Sequence, residues 1–160
     1  MSMSTSIAAA VVVALGASVA YAQEGTATGT FTVNGKAAKL AYAYAVTEGN
    51  TVRITLSDVK LTPKQLEFPF GLQGPMKAGE VHAVVADIDA TSKKVINTML
   101  YDKAFAMDLV SMAGVSNKFE GTIDKTAVNG KLYRTGPGTS GKIPYDFSAT
   151  FKVPIPKAAK

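Results

Sequence analysis

Hydrophobic and polar positions alternate with a period of two along most of the chain. Near the start, Phe31 and Val33 alternate with threonines, and residues 40–46 alternate alanine with leucine, tyrosine and valine. Because successive side chains of a strand point to opposite faces, this period predicts β-strands and not helices. The Asn34-Gly35 pair between the two runs favours a two-residue type I′ turn, which needs positive φ at both central residues. The pattern therefore predicts two or three β-strands over residues 28–56, the first two joined as a hairpin.

The alternation returns after residue 80. Residues 81–88 are apolar on both faces apart from His82 and Asp87, as in a central strand that is covered on both sides. Further strands are predicted over residues 93–101, 104–112, 117–124 and 145–153. The Asn129-Gly130 pair predicts a second tight turn of the Asn34-Gly35 kind.

A single short helix interrupts this pattern. Thr62 as an N-cap, Pro63 at the first helical position and Gln65 at the third predict one or two helical turns over residues 62–67. Two prolines and two glycines in residues 68–75 then predict a long connection between strands. About eight or nine short strands with one helix indicate an all-β fold, for which we favour an antiparallel sandwich over the alternative of a small closed β-barrel.

The first residues predict export. An apolar run over residues 7–20 leads into Ala20-Tyr21-Ala22 and a polar stretch from Gln23, which is typical of a signal peptide over residues 1–22 that is cleaved before Gln23. The run is too short for a membrane span of about 20 residues. Since the leader carries no Lys or Arg, its retention as an anchor stays open. We expect one β-sandwich domain over residues 23–160, periplasmic or secreted, without a membrane span in its mature form.

Composition removes several classes of function. The chain has no cysteine, which excludes disulfides, thiolate metal sites and cysteine nucleophiles. Its 17 Lys and Arg against 12 Asp and Glu give a net charge of +5, but only Arg53 and Arg134 are arginines. Because proteins that bind nucleic acid depend strongly on arginine, we expect no nucleic-acid partner and interpret the charge as a contribution to solubility.

Residues 136–142 have the G-x-x-x-x-G-K spacing of a phosphate-binding loop. The next residue is Ile143 rather than Ser or Thr, so no hydroxyl is available for magnesium. Pro144 and a period-two strand follow, so no helix N-terminus points at a phosphate. We therefore expect a flexible hairpin loop here.

His82 is the only histidine and limits the possible catalytic chemistry. The chain has no G-x-S-x-G elbow, and His82 would have to serve as the base for any serine nucleophile. It is interpreted either as a hydrogen-bonded structural residue or as a site residue in a cavity between sheets. Asp87 and Asp89 lie two residues apart on the same strand, about 7 Å by strand rise, but two carboxylates are too few for a Ca²⁺ site.

Met99, Met107 and Met112 lie in adjacent predicted strands, where thioethers select Cu(I) in some exported proteins. With no cysteine and one histidine available, filling of the core is the better interpretation. We therefore expect no catalytic residue, no metal and no cofactor.

The two ends of the predicted mature chain carry a resemblance. The run Gly29-Thr30-Phe31-Thr32-Val33-Asn34-Gly35-Lys36, the Tyr/Ala-rich run over residues 40–45 and the closing run over residues 145–151 resemble a loose group of exported bacterial proteins of unknown function. That group pairs a G-T-x-T-V-N-G-K hairpin with a Tyr/Ala-rich second strand. The resemblance implies an envelope β-domain and carries over no functional residue. Its members often have a histidine before the Tyr-Ala pair, where this chain has Ala41.

The leading functional hypothesis is a non-enzymatic exported domain that binds a small ligand or an envelope component. A Phe-Pro-Phe loop beside a tyrosine strand would line the mouth of a pocket. The candidate ligand-binding residues are Tyr42, Tyr44, Phe68, Phe70 and His82, although the aromatic residues also fit an ordinary core. Two alternatives stay open: a hydrolase using His82 with Asp87 or Asp89, and a structural or adhesion module acting through strand edges. The oligomeric state is left open.

Overall fold

The computed structural model describes residues 22–105, 110–111 and 116–156. The predicted signal peptide, except Ala22, and the residues Met107 and Met112 lie outside the described residues, so the predictions that concern them stay predictions. Among the helices of the described part of the chain, none has the length and apolar character needed to span a membrane.

The described residues form ten β-strands, one α-helix and one 3-10 helix. The strands are β1 (Glu24–Val33), β2 (Lys36–Glu48), β3 (Thr51–Ser57), β4 (Ala83–Asp89), β5 (Val95–Tyr101), β6 (Val110–Ser111), β7 (Asn117–Ile123), β8 (Ala127–Arg134), β9 (Gly138–Ser140) and β10 (Ile143–Pro154). The α-helix, α1, spans Gln73–Ala78, and the 3-10 helix spans Lys103–Phe105.

All ten strands belong to one antiparallel sheet. Nine of them follow the order β6-β5-β4-β3-β2-β1-β10-β8-β7, and β9 pairs with β10. The two ends of the sheet come together, since Asn117 Nδ2 of β7 donates to Thr98 Oγ1 of β5 at 3.0 Å and Lys93 Nζ donates to the Gly121 carbonyl at 2.9 Å. The sheet is thus nearly closed into a barrel. The all-β, antiparallel prediction with one short helix is confirmed, and the single curled sheet corresponds more closely to the barrel alternative than to two stacked sheets.

The inward-pointing apolar side chains form the main core. Every long strand of the sheet contributes to this core. Its large, fully buried members are Phe31, Leu40, Ile54, Leu56, Ile88, Leu100, Leu132 and Phe147. Since these side chains are contributed by strands from all parts of the sheet, they fill the inside of the barrel.

A second core lies on the outer face of β2 to β5, beneath the long segment of residues 58–82. Its members are Tyr44, Leu61, Leu72, Met76, Val81, Ala83, Val85, Met99 and Tyr101. Tyr44 Oη accepts a hydrogen bond from Leu61 N at 2.9 Å, and Tyr101 Oη donates to the Pro69 carbonyl at 3.1 Å. β4 therefore has a buried face on each side, as the apolar pattern of residues 81–88 predicts.

One of the two predicted Asn-Gly turns is present and the other is wrong. Asn34 and Gly35 have φ of 49° and 74°, as a type I′ turn requires. Asn129 and Gly130 instead lie inside β8. A Cβ on Gly130 would lie 2.6 Å from a ring carbon of Phe119, so glycine is needed there for the close approach of an aromatic ring and not for a turn.

The chain reverses direction between β7 and β8 at Asp124. Its Oδ1 accepts hydrogen bonds from Thr126 N at 2.7 Å and from Ala127 N at 2.9 Å. Aspartate favours such turns because its side chain can bond the backbone two or three residues ahead. The Thr126 hydroxyl also donates to Oδ1, at 2.7 Å, and this bond, followed by those from the two amides, lowers the pKa of the Asp124 carboxyl.

The predicted helix over residues 62–67 is also displaced. Thr62 and Gln65 do form reciprocal capping contacts, with Thr62 N donating to Gln65 Oε1 at 2.8 Å and Gln65 N donating to Thr62 Oγ1 at 3.3 Å. Residues 63–66 nevertheless form only a turn, in which Leu66 N donates to the Thr62 and Pro63 carbonyls at 3.2 Å, and Pro69 disfavours a helical conformation at Phe68. The helix forms later, as α1, and ends at Gly79 with a left-handed φ of 74°.

One other predicted segment differs from the structure. Ala104 and Phe105 belong to the 3-10 helix and not to a strand, because Asp102 Oδ1 accepts from Ala104 N at 2.7 Å and caps that turn. Of the strand predicted over residues 104–112, the described residues contain only β6. The phosphate-loop spacing of residues 136–142 falls on β9 and its turn to β10, with Gly141 at φ 59°.

Candidate mouth pocket

One end of the barrel carries a pocket of about 600 Å³, which we call the mouth pocket. The β1–β2 hairpin forms one wall. The ends of β3 and β5 and the residue before β4 form the other wall. The lining residues are Val33, Asn34, Lys36, Ala37, Ala38, Asp58, His82, Asp102, Lys103 and Ala104.

The pocket exists because β2 extends beyond β3. β1 pairs with β2 from Lys36 onward, whereas β3 pairs with β2 only from Tyr42 onward. Leu40 and Ala43 of β2 both point into the main core although they lie three residues apart, so the two-residue alternation is broken between them. The β1–β2 register also shifts at this point. Among the described residues, positions 36–41 thus have no β3 partner, and the mouth pocket lies beside them.

Asp58 and His82 make three contacts with each other across the base of the 58–82 segment. His82 N donates to Asp58 Oδ1 at 2.9 Å, His82 Nδ1 lies 2.7 Å from Asp58 Oδ2, and Asp58 N donates to the His82 carbonyl at 3.1 Å. Because these are the first and last residues of the segment between β3 and β4, the contacts fasten its two ends together. We call this pair the Asp58–His82 clasp.

The clasp also orients the imidazole. An ionised carboxylate can only accept hydrogen bonds, so the 2.7 Å contact assigns the proton of the ring to Nδ1. In the neutral ring Nε2 is then an acceptor. The His82 side chain is 32% exposed and lines the mouth pocket.

Asp102 stands opposite that nitrogen. Its Oδ2 lies 3.6 Å from His82 Nε2, a separation too long for a direct hydrogen bond. Its other oxygen, Oδ1, accepts from Ala104 N at 2.7 Å, which holds the carboxylate in place. A donor atom that lies to one side of the line joining Nε2 and Oδ2, about 2.8 Å from each, would therefore meet two acceptors.

Two lysines complete the charge pattern. Lys36 lies at the start of β2, and Lys103 lies in the 3-10 helix. The Lys103 side chain passes beside Gly79, at the C-terminus of α1, where helix carbonyls favour a cation. The mouth pocket thus combines two carboxylates, an imidazole and two ammonium groups.

The predicted pairing of His82 with Asp87 or Asp89 is wrong. These residues lie five and seven positions further along β4, about 16 and 23 Å away by strand rise. Asp87 Oδ1 accepts from Arg53 Nε at 2.8 Å. Asp89 accepts from Ser92 N at 2.6 Å, and the hydrogen bonds from Ser92 lower the pKa of the Asp89 carboxyl. Both carboxylates serve local structure at the opposite end of the barrel from the pocket.

The five predicted ligand-binding residues do not form one site. Tyr44 is only 3% exposed and belongs to the second core, against which Tyr42 packs. Phe68 and Phe70 line a separate groove of about 650 Å³ on the 58–82 segment, where Phe70 is 70% exposed. Of the five predicted residues, only His82 lines the mouth pocket.

Sequence reasoning missed Asp58, Asp102, Lys36 and Lys103. A signal for the two carboxylates was present, since Asp58 directly follows β3 and Asp102 directly follows β5, while His82 directly precedes β4. In an antiparallel order of three neighbouring strands these positions meet at one edge. Within the part of the chain that the structure describes, no group of three or more His, Cys, Asp or Glu side chains could hold a metal ion.

Comparisons with protein-family models, with curated proteins and with solved structures find no match to this chain. The functional inference is therefore built on the geometry of the mouth pocket.

Proposed function

We propose that this protein is an exported, non-enzymatic domain that binds a small polar ligand in the mouth pocket. The observation that carries the proposal is the 3.6 Å gap between His82 Nε2 and Asp102 Oδ2. Both groups are held by other hydrogen bonds and face a pocket of about 600 Å³. That volume lies within the usual range for small-ligand sites, in which a few fixed polar groups orient the ligand.

The lining favours binding over nucleophilic catalysis. The described residues around the mouth pocket include no serine, threonine or cysteine. The neighbouring Ser57 is fully buried, and its hydroxyl donates to the Val59 carbonyl at 2.7 Å. The pocket therefore offers charge and hydrogen bonding without a hydroxyl or thiol nucleophile.

Native mass spectrometry tests this proposal on protein purified from the exported fraction of its own host. We expect an adduct of a few hundred daltons that disappears under denaturing conditions and is lost in Asp102→Asn. The matched control is Phe70→Ala, which changes the groove and leaves the mouth pocket intact. An adduct lost only in the control would place the ligand in the groove, and a bare protein at every stage would overturn the proposal.

A second candidate is proton-transfer chemistry, such as hydrolysis by a water activated at His82 Nε2. The specific observation in its favour is the 2.7 Å contact between Asp58 and His82, because a carboxylate that fixes the imidazole tautomer is a recurrent feature of histidine bases. A hydrolase screen with His82→Gln as the comparison separates the two functions. Activity that survives in His82→Gln would exclude this candidate.

A further inference from the structure

The free edge of β2 forms part of the same pocket. Ala37 and Ala38 line it directly, and Ala37 is exposed. Among the described residues, positions 36–41 pair with β1 on one side and with no strand on the other. An unpaired strand edge presents backbone N–H and C=O groups that are ready to pair with another extended chain.

The turn at Asn34-Gly35 determines which groups face the pocket. In a two-residue hairpin the residues that flank the turn exchange both hydrogen bonds, so Lys36 bonds to Val33 of β1. The pattern alternates, and the backbone groups of Ala37 and Lys39 therefore point away from β1. These two residues offer two donors and two acceptors along the edge.

The opposite wall complements a positively charged donor. An ammonium group beside His82 Nε2 and Asp102 Oδ2, within hydrogen-bond distance of both, would find one neutral and one anionic acceptor. An extended peptide carries such a group at its amino end, followed at once by amide groups that can pair with a strand edge. The two walls of the mouth pocket thus match consecutive parts of one molecule.

We propose that the mouth pocket binds the amino-terminal end of an extended peptide, with its amine hydrogen-bonded to both His82 and Asp102 and its backbone paired with Ala37 and Lys39. This inference rests on the proposed function and names the ligand class. The occupant is a peptide and not a second copy of this chain, because two β2 edges would bring Lys36 and Lys39 against like charges. The same lysines favour acidic side chains in the peptide.

The test uses the purified, ¹⁵N-labelled protein and a pool of randomised tetrapeptide amides with free amino termini. Titration followed by NMR should shift the amide signals of Ala37 and Lys39. N-acetylation of the pool should weaken binding about tenfold or more, since it removes the positively charged donor whose hydrogen bond Asp102 accepts. N-methylation of the peptide bonds should abolish binding, because it removes the donors that pair with the edge.

Protein variants complete the experiment. Asp102→Asn should weaken binding of the free-amine pool about tenfold, whereas Phe70→Ala should leave it unchanged. Ala37→Pro removes one of the two edge donors and should weaken binding with little effect on the fold, because proline is tolerated where a strand N–H faces outward. The NMR spectrum of each variant shows whether it is folded.

The outcomes separate this inference from the proposed function. Equal binding of the acetylated and free pools, or binding insensitive to N-methylation, would overturn the peptide inference. If no peptide binds but the native adduct is lost in Asp102→Asn, the inference fails and the proposed function stands. If neither peptide nor adduct is found, both fail.

Discussion

Replacing Asp58 with alanine removes both carboxylate contacts of the Asp58–His82 clasp. The structure gives these contacts as 2.9 Å to His82 N and 2.7 Å to His82 Nδ1. A hydrogen bond to a charged group contributes about 1.5–3 kcal/mol net. Because the Asp58 and His82 side chains are 19% and 32% exposed, we take the lower end of that range for each. Asp58→Ala should therefore lower the free energy of unfolding by about 3 kcal/mol, a large part of a typical stability of about 5–15 kcal/mol.

His82→Ala removes only one of the two contacts, since the backbone N–H of residue 82 remains. It should cost about 1.5 kcal/mol, and the double variant should cost little more than Asp58→Ala alone. The double-mutant cycle therefore predicts a coupling energy of about 1–2 kcal/mol between the two side chains.

Urea denaturation followed by circular dichroism measures the four stabilities, and amide hydrogen exchange locates the effect. Exchange should increase first in the 58–82 segment, whose ends the clasp fastens. A coupling energy within about 0.3 kcal/mol of zero would refute the reasoning. It would mean that the contact is present in the wild-type protein but that hydrogen bonds to water replace it in the variants with no loss of stability.

Three further predictions concern other parts of the fold. Burial raises the pKa of Tyr101 to about 12 from 10.0, so the folded protein holds this proton more tightly than the unfolded chain; stability should fall by roughly 2–3 kcal/mol as the pH rises from about 10 to 12. Denaturation at a series of pH values should show that this loss is absent in Tyr101→Phe. The same fall in stability with pH in both proteins would contradict the assignment of the loss to Tyr101. Asn117→Ala removes the donor to the buried Thr98 hydroxyl. It should lower the free energy of unfolding by about 1–3 kcal/mol and accelerate amide exchange in β5 and β7. A wild-type urea midpoint would show that the junction between β5 and β7 does not depend on this hydrogen bond. Gly130→Ala places a Cβ 2.6 Å from an aromatic ring carbon and should destabilise by about 1–3 kcal/mol in thermal denaturation, while Gly74→Ala, which meets no neighbouring atom within 4 Å outside its own helix, should be neutral or stabilise by up to about 1 kcal/mol; equal effects of the two changes would be inconsistent with this explanation.

The strands were predictable because their signal is local. A strand with one wet face must alternate, and a strand covered on both faces must be apolar throughout, so β1, β4 and β10 could be located from sequence alone. The Asn34-Gly35 turn was predictable for the same reason, since positive φ at two successive residues strongly favours this dipeptide.

Asn129-Gly130 shows where a local signal fails. The same dipeptide lies inside β8, because Gly130 makes room for the ring of Phe119 on the neighbouring strand. That requirement comes from a residue eleven positions away, and no turn propensity contains it. The helix prediction fails for a different reason: the cap at Thr62 is formed, but it is followed only by a turn, and Pro69 disfavours a helical conformation at Phe68.

The candidate site was the least predictable part. His82 stands out because it is the only histidine, but the predicted partners Asp87 and Asp89 lie on the strand that directly follows it. The actual partners, Asp58 and Asp102, follow the two strands that flank β4. Recognising them requires the order of the strands in the sheet, which periodicity does not provide.

The pairing of β1 with β10 has a consequence for how the protein is made. These strands are registered from Thr26 with Lys152 to Val33 with Tyr145, so this part of the sheet joins residues more than a hundred positions apart. During synthesis from the amino terminus, β1 leaves the ribosome long before its partner exists. The nascent chain can form the early hairpins but must keep its apolar inner face uncovered until β10 emerges. Fragments that end before β10 should therefore aggregate rather than fold, and acquisition of the native structure should be a late event that follows translation.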